Sequence, residues 1–404
     1  MTTAAADPLL RFRAEFPTLD ASTYLVSNSL GAMPRAARAG LDEYADRWTR
    51  RGVRAWAEAW WDLPVQVGDV VAPLMGAPVG SVAMTPTVTL AHAAVVSALP
   101  YDAGRDTIVM TALDFPSVRY AVEALAARLG ARVVVVESED GMTVDADAVC
   151  AAVDARTRLV AVSHVLFRSA FVMDADKIVR HAHAHGALVL LDAYHSVGVM
   201  PVDVRALGVD FLAGGVLKWL CGGPGGSFLY VAPDLEARAG GPVRPALTGW
   251  QAHARPFAFD TAMDYAGGAW AWLGGTPVVP ALYANAAGPR ILAEAGMAAV
   301  RAKSERQTAA LVAMADARGY AVRAPRDPAR RGGTVAFDVP HGAEVAQELL
   351  ARDVVIDYRP GAGIRVAPHF YTTDAELEAA VGQIDEILAT GAWRRHAGQA
   401  RVVT

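Results

Sequence analysis

The chain reads as an α/β protein: a seven-stranded, mostly parallel sheet between helices, followed by a smaller α/β C-terminal domain. Three observations predict this. Short apolar, β-branched runs alternate with helical stretches at Ser81–Met84, Thr107–Thr111, Arg132–Glu137, Arg158–Val165, Ala187–Ala193, Asp210–Val216 and Ser227–Val231, the pattern of a doubly wound sheet with ligands at the strand C-termini. The last two runs are joined by a loop ending in Gly222-Gly223-Pro224-Gly225-Gly226. That loop is too short for a helical crossover, so the final strand is expected antiparallel to its neighbour. Finally, 404 residues suffice for one large core and a satellite. The expected divisions are 1–33, an N-terminal segment packing with the small domain; 34–276, the large ligand-binding domain; and 277–404, a linker helix and the small domain.

In chain order, a short helix is expected over Pro8–Phe16, then an extended segment and turn from Tyr24 to Gly31. Pro34 to Met75 is helical in period and carries Trp48, Trp56, Trp60 and Trp61; aromatic stripes of this kind belong to core or subunit interface. Thr85-Pro86-Thr87-Val88-Thr89 opens a helix over Leu90–Leu99. Hydroxyls and free N–H groups at a helix N-terminus suit an anion, and simple N-capping by Thr87 or Thr89 requires the same geometry. His181, His183 and His185 precede Gly186 without zinc-protease spacing, so they read as the last turn of a helix that stops at the glycine. After a long helical region (Pro277–Arg318), the C-terminal domain reads strand Gly333–Val339, helix Ala343–Arg352, strands Val354–Asp357 and Gly363–Ala367, and helix Asp374–Thr390. Thr373 with Glu376 forms a capping box for the last helix.

Composition narrows the functional classes. With 53% hydrophobic and 20% charged residues, the chain is densely packed, with surface to bury in an oligomer. No apolar run approaches a membrane span, and the N-terminus lacks the basic and apolar regions of an export signal. The net charge of −5 comes with dispersed basic residues, which leaves no nucleic-acid footprint. Cys150 and Cys221 have no metal spacing, so no metal is expected and a reduced, cytoplasmic setting is the default.

The chemistry concentrates in one stretch. The strand ending at Leu191 delivers Asp192, and the next apolar run delivers Lys218 with almost no charge around it. A lysine at the end of an apolar strand is costly unless its pKa falls or it forms an imine with a carbonyl cofactor. Pyridoxal phosphate fits both residues: the lysine takes the carbonyl, and the aspartate pairs with the pyridinium nitrogen. Either residue alone reads more simply, as a snorkelling lysine or a helix-capping aspartate. Together, at strand ends before a glycine-rich turn, they favour the cofactor.

Asp192-Ala193-Tyr194-His195-Ser196, Pro201-Val202-Asp203, Asp210-Phe211, Lys218 and Gly222-Gly223-Pro224-Gly225 resemble the core of kynureninases, in the class V branch of fold-type I pyridoxal phosphate enzymes. The resemblance runs from about Tyr24 to the final helix. It implies Lys218 as the Schiff-base lysine, Asp192 as the pyridinium partner and His195 as a polar neighbour of the cofactor. Asn28, in Asn28-Ser29-Leu30-Gly31, matches an element over the active-site mouth and is implied to meet substrate. Thr87 matches a phosphate-binding Thr-Val-Asn-Leu element, with Thr89 in place of the Asn. Phe115, in Phe115-Pro116-Ser117, is implied to stack on the pyridine, and Ser169 to donate to the cofactor's O3′ or to substrate. Trp250 and Thr276 are implied to reach the neighbouring subunit's site, hence a homodimer with shared sites, with Asp260 and Tyr265 in the loop between them. Arg365, alternating with Ile364 and Val366, is implied to hold the substrate α-carboxylate bidentately; pairing with Asp357 is the equally weighted alternative from the residues alone. Leu217 stands where kynureninases carry a phosphate-binding Tyr, and Leu166 where they carry Asn.

The function these residues imply is a kynureninase-like hydrolase that cleaves the Cβ–Cγ bond of kynurenine or a related β-aroyl amino acid. The alternative is another reaction on the same scaffold: β-elimination (C–S lyase), transamination or epimerisation. Desulfuration is disfavoured, because neither cysteine lies on the loop around Pro325–Gly333. A purely binding protein would have no need of the Lys218 and Asp192 pair.

Overall fold

The computed structural model describes residues 7–102 and 104–398. After β1 (Thr23–Tyr24) come β2 (Val82–Thr85), β3 (Thr107–Thr111), β4 (Arg132–Val136), β5 (Thr157–Ser163), β6 (Leu188–Asp192), β7 (Phe211–Gly215) and β8 (Ser227–Val231). The last seven form one sheet in the order β2-β8-β7-β6-β5-β3-β4. Strands β3 to β7 run parallel, and β8 runs antiparallel to both β7 and β2, as its short loop requires. Every residue of β3, β6, β7 and β8 is buried, so these strands are continuous apolar runs covered on both faces, not alternating ones.

The smaller domain holds β9 (Ala321–Val322), β10 (Val335–Asp338), β11 (Val354–Val355), β12 (Asp357–Arg359) and β13 (Gly363–Val366). Four of them make an antiparallel sheet, β12-β13-β10-β9. The expected single strand Val354–Asp357 is broken at Ile356 because its halves have different partners: β11 pairs with β1, and β12 with β13. A separate apolar core, including Leu311, Phe337, Leu349, Ile364 and Ile384, holds this domain together. The capping box at Thr373 and Glu376 forms, with the Glu376 carboxylate accepting the Thr373 N–H at 2.7 Å.

The N-terminal segment is fastened to this domain. Arg13 donates to both Glu376 oxygens at 2.9 and 2.7 Å, and Phe12 and Phe16 pack edge-on against Phe370. The helix expected over Pro8–Phe16 is a 3-10 helix, Pro8–Glu15. Pro17 excludes a helical Phe16, and Phe16 sits at φ −118 and ψ 89. The region Pro34–Met75 is helical but interrupted. Arg35–Arg51 ends at Gly52, whose φ of 53 suits glycine, and Leu63–Val71 follows short turns. Of its tryptophans Trp60 is buried and Trp48 exposed. The helix Ala175–Ala184 ends at the cap His185, whose N–H bonds the Ala182 carbonyl, with Gly186 following at φ 70, while His183 in the last turn bonds Asp210 at 2.8 Å. Among the described residues no group of three or more His, Cys, Asp or Glu is placed to hold a metal ion, and no helix is long and apolar enough to cross a membrane.

A candidate active site at the carboxyl ends of the central strands

Asp192 ends β6, in register with Ser163 of β5 and Ala213 of β7. One of its oxygens accepts the Tyr194 N–H at 2.9 Å. Lys218 lies just beyond β7, in a loop tied back on itself by the Gly222 N–H to the Val216 carbonyl (2.7 Å) and the Val216 N–H to the Gly226 carbonyl (3.1 Å). Both side chains open into one cavity of about 290 Å³, lined also by Thr87, Phe115, Tyr194 and His195.

The amine of Lys218 sits 2.7 Å from His195 Nε2 and 4.6 Å from the centre of the Tyr194 ring. The ring fits there because residue 215 is glycine: a Cβ would come within 2.2 Å of it. Burial is the main reason that the amine's pKa falls from 10.5 to about 7; Arg365 and Arg359 push the same way, against Asp192 and Asp357. Burial, Lys218 and Arg365 also hold His195 well below the usual histidine value. At neutral pH the site therefore presents an amine partly free of its proton and a neutral imidazole in direct contact.

Thr87 caps the helix Val88–Ala98, accepting the Leu90 N–H at 3.3 Å. The first N–H groups of that helix border the cavity at Val88 and Thr89, where backbone donors and the helix dipole favour an anion. Phe115 stands at the rim, its ring 5.6 Å from the Lys218 amine and edge-on to Phe167 at 5.1 Å. The cavity thus combines a buried amine, a carboxylate and an anion cradle beside aromatic walls, and this donor set fits pyridoxal phosphate.

The other expected residues lie apart. The Ser169 hydroxyl donates to the Met142 carbonyl at 2.6 Å and accepts the Phe171 N–H at 3.2 Å; the structure does not bring it into the cavity. Trp250 is 43% exposed among Trp61, Phe257 and Phe259 and bonds the Pro256 carbonyl. Thr276 lines a second cavity of about 250 Å³, which shares Pro86 and Gly225 with the first. Neither reaches Lys218 within one chain. Asp260 pairs with Arg255, and Tyr265 lies under Arg244. Asn28 is buried, and neither its amide nitrogen nor its oxygen has a partner, an arrangement that favours a ligand able to supply one. Its turn lies against the Lys218 loop, where the Gly31 N–H bonds the Leu217 carbonyl at 2.9 Å.

Arg365 is buried and side-on to Asp357, its partner across β12 and β13. Nε donates to Asp357 at 2.8 Å, Nη2 bonds the other carboxylate oxygen, and Nη1 donates to the Phe167 carbonyl at 2.6 Å. The alternative weighed from the residues is thus present in the structure. Three of five N–H groups are engaged, which leaves one on each terminal nitrogen for a substrate.

Sequence reasoning missed three residues. Asp114 bonds the Thr111 and Ser163 N–H groups at 2.7 and 2.8 Å, stitching the ends of β3 and β5 together, and burial raises its pKa. His92 faces Asp192 at 3.9 Å. His369 grips the loop of Lys218. A lone histidine in an apolar helix was the available signal for His92; the partners Ser163 of Asp114 and Trp219 of His369 lie 49 and 150 positions away.

The aminotransferase class-V family matches residues 32–373. A kynureninase of Burkholderia pseudomallei (strain 1106a) is 33% identical over 400 residues, covering 96% of this chain and 94% of that protein. Among solved structures, the apo cysteine desulfurase of Thermococcus onnurineus NA1 superposes with a TM-score of 0.83 at 22% identity, covering 96% of this chain and 100% of that one. A C-DES variant with glycine covalently linked to its PLP cofactor has a TM-score of 0.83 at 21% identity, over 92% of this chain and 98% of that one. At those identities the two structures speak to the fold alone.

Because the folded Lys218 amine binds its proton less tightly than the unfolded one, the unfolded chain carries more protons between about pH 7 and 10.5. The residue's contribution to apoprotein stability therefore rises with pH through that window, and its penalty at low pH is on the order of 5 kcal/mol. Lys218→Met apoprotein is expected to resist urea better than wild-type apoprotein at about pH 6, with the gap narrowing toward about pH 10. A gap that stays constant across that range would show that Lys218 is not desolvated.

Proposed function

Since the chain belongs to the aminotransferase class-V family and, within it, to the kynureninases, we propose that it is a pyridoxal phosphate enzyme that hydrolyses the Cβ–Cγ bond of kynurenine or a related β-aroyl amino acid. The observation that carries the chemistry is the buried Lys218 amine, sharing one cavity with Asp192 and 2.7 Å from His195. Near-full-length similarity to a kynureninase supports the substrate class.

Bound pyridoxal phosphate supplies an electron sink for the pair left at the substrate Cα. Asp192 is assigned to holding the proton on the cofactor's ring nitrogen, and Thr87 with its helix N-terminus to the phosphate. Phe115 is assigned to covering one face of the ring. Lys218 takes the Cα proton at Nζ and returns it; burial keeps Nζ available as a base, and His195 Nε2, in contact with it, orients it. Water adds its oxygen to the γ-carbonyl carbon, the Cβ–Cγ bond breaks, and Cβ takes a proton, giving alanine and an aromatic carboxylic acid. Arg365 is assigned to the substrate α-carboxylate through its two remaining N–H groups, and Asn28 to the same ligand.

The proposal includes a homodimer in which Trp250 and Thr276 serve the partner's site. The exposed apolar surface at Leu247, Phe257 and Phe259 supports such a contact. It also includes a cytoplasmic location, to which two buried, unpaired cysteines are suited. Persulfide chemistry lacks support: burial pushes the Cys221 thiol up to about 12, and Cys150 is also buried.

Purified protein with pyridoxal phosphate is expected to release anthranilate and alanine from kynurenine, followed by fluorescence and mass spectrometry. Absence of both products from kynurenine and from 3-hydroxykynurenine would exclude the substrate class. Sedimentation is expected to give a dimer, and a monomer with full activity would remove Trp250 and Thr276 from the site. Arg365→Lys is expected to lower kcat/KM about tenfold or more, since a charge-assisted hydrogen bond contributes roughly 1.5–3 kcal/mol and a point charge cannot replace the fork. Unaltered kinetics in that variant would place the carboxylate elsewhere.

A further inference from the structure

The chain that follows β13 turns back onto the loop of Lys218. His369 is buried there, its Nε2 2.7 Å from the Trp219 carbonyl oxygen. A carbonyl only accepts, so Nε2 carries the hydrogen, and Nδ1 is a lone pair with no partner within the protein. Burial keeps the ring neutral, its pKa pushed down to about 4, so this arrangement persists at neutral pH. The backbone it grips is unusual. Cys221 adopts φ 51 although it is not glycine, a left-handed conformation that is costly for a residue with a Cβ. The Cys221 N–H closes the turn on the Lys218 carbonyl at 3.0 Å. A turn held in a disfavoured conformation needs outside contacts to keep it there, and the Nε2 bond is one that reaches the carbonyl of Trp219, the residue after Lys218.

We propose that His369 is a positioning residue for Lys218: its hydrogen bond to the Trp219 carbonyl holds the Lys218–Cys221 turn so that the amine stays inside the cavity against His195. The inference rests on the assignment of Lys218 as the reactive amine. The charged groups around that amine are Arg365, Asp192, Asp357 and Arg359, with His195 in contact. A substitution at position 369 alters none of them. Its effect comes through solvent: once the turn loosens, water reaches the amine and its pKa climbs back toward 10.5.

The test uses the full-length apoprotein and acetic anhydride as probe, with acylation of Lys218 followed by mass spectrometry across pH. The wild-type midpoint is expected near 7. His369→Leu occupies similar space and removes the unpartnered Nδ1 together with the donor. It is expected to raise the midpoint by about one unit and so slow labelling at neutral pH about fivefold. His369→Gln, whose amide N–H can take over the bond, is expected to restore the wild-type midpoint. If the leucine variant does not fold, His369→Asn, too short to span the gap, is read in its place. A folded Leu or Asn variant with the wild-type midpoint overturns the proposal, as does a Gln variant that behaves like Leu. No substrate enters this measurement. A shifted midpoint in a protein that releases no anthranilate would sink the kynurenine reading while leaving His369 in its place.

Discussion

The desolvation of one amine governs this molecule. In water Lys218 would hold its proton at every physiological pH; inside the cavity burial, more than the nearby arginines, makes the charged form costly. That cost is what makes the residue useful, because a lysine partly free of its proton at neutral pH is both a nucleophile toward a carbonyl and a base toward a Cα proton. It also dictates the company the amine keeps. A neutral imidazole can share its proton without adding charge, and a carboxylate close by keeps the fall in pKa within bounds.

The sheet exists, functionally, to deliver these groups to one place. Parallel strands bring their carboxyl ends to the same edge, so Asp192 and the Lys218 loop meet at the ends of the adjacent strands β6 and β7, although 26 positions separate them in the chain. Asp114 ties the neighbouring ends of β3 and β5 together. Glycine is used where bulk would undo the site: at 215 for the Tyr194 ring, and at 31, where a Cβ would come within 2.1 Å of the Lys218 carbonyl.

The small domain reaches toward the Lys218 loop from one short stretch. Arg365 lies on β13, and the loop after it carries His369 and Tyr371. The Tyr371 hydroxyl bonds Ser27 at 2.9 Å, beside the unpartnered Asn28. Three chain segments distant in sequence, bearing Asn28, Lys218 and Arg365, are thereby joined by one buried polar cluster. Asp357 adds a constraint: by engaging Nε and Nη2 it leaves Arg365 able to offer only its far edge to a carboxylate. Trp250 and Thr276 stand outside this arrangement within a single chain, and their contribution to the proposed reaction depends on a second copy.

The sequence by itself determined the layered α/β class, all seven strands of the large sheet with the direction of the last, and that Asp192 and Lys218 end neighbouring apolar runs. These features are written locally, in hydrophobic runs that match the strand length and in turn residues that set chain direction. Only the tertiary structure decided which polar side chains face the cavity. Ser169 sits in a promising motif, yet its hydroxyl is consumed by Met142, and Arg365 finds Asp357 because β12 and β13 place them opposite one another. His369 carries no local signal at all: its partner lies 150 positions away, and the depressed pKa of Lys218 follows from the burial that such distant contacts create. Periodicity records which face of an element is buried, whereas the partner met on that face is set by the packing of the whole chain.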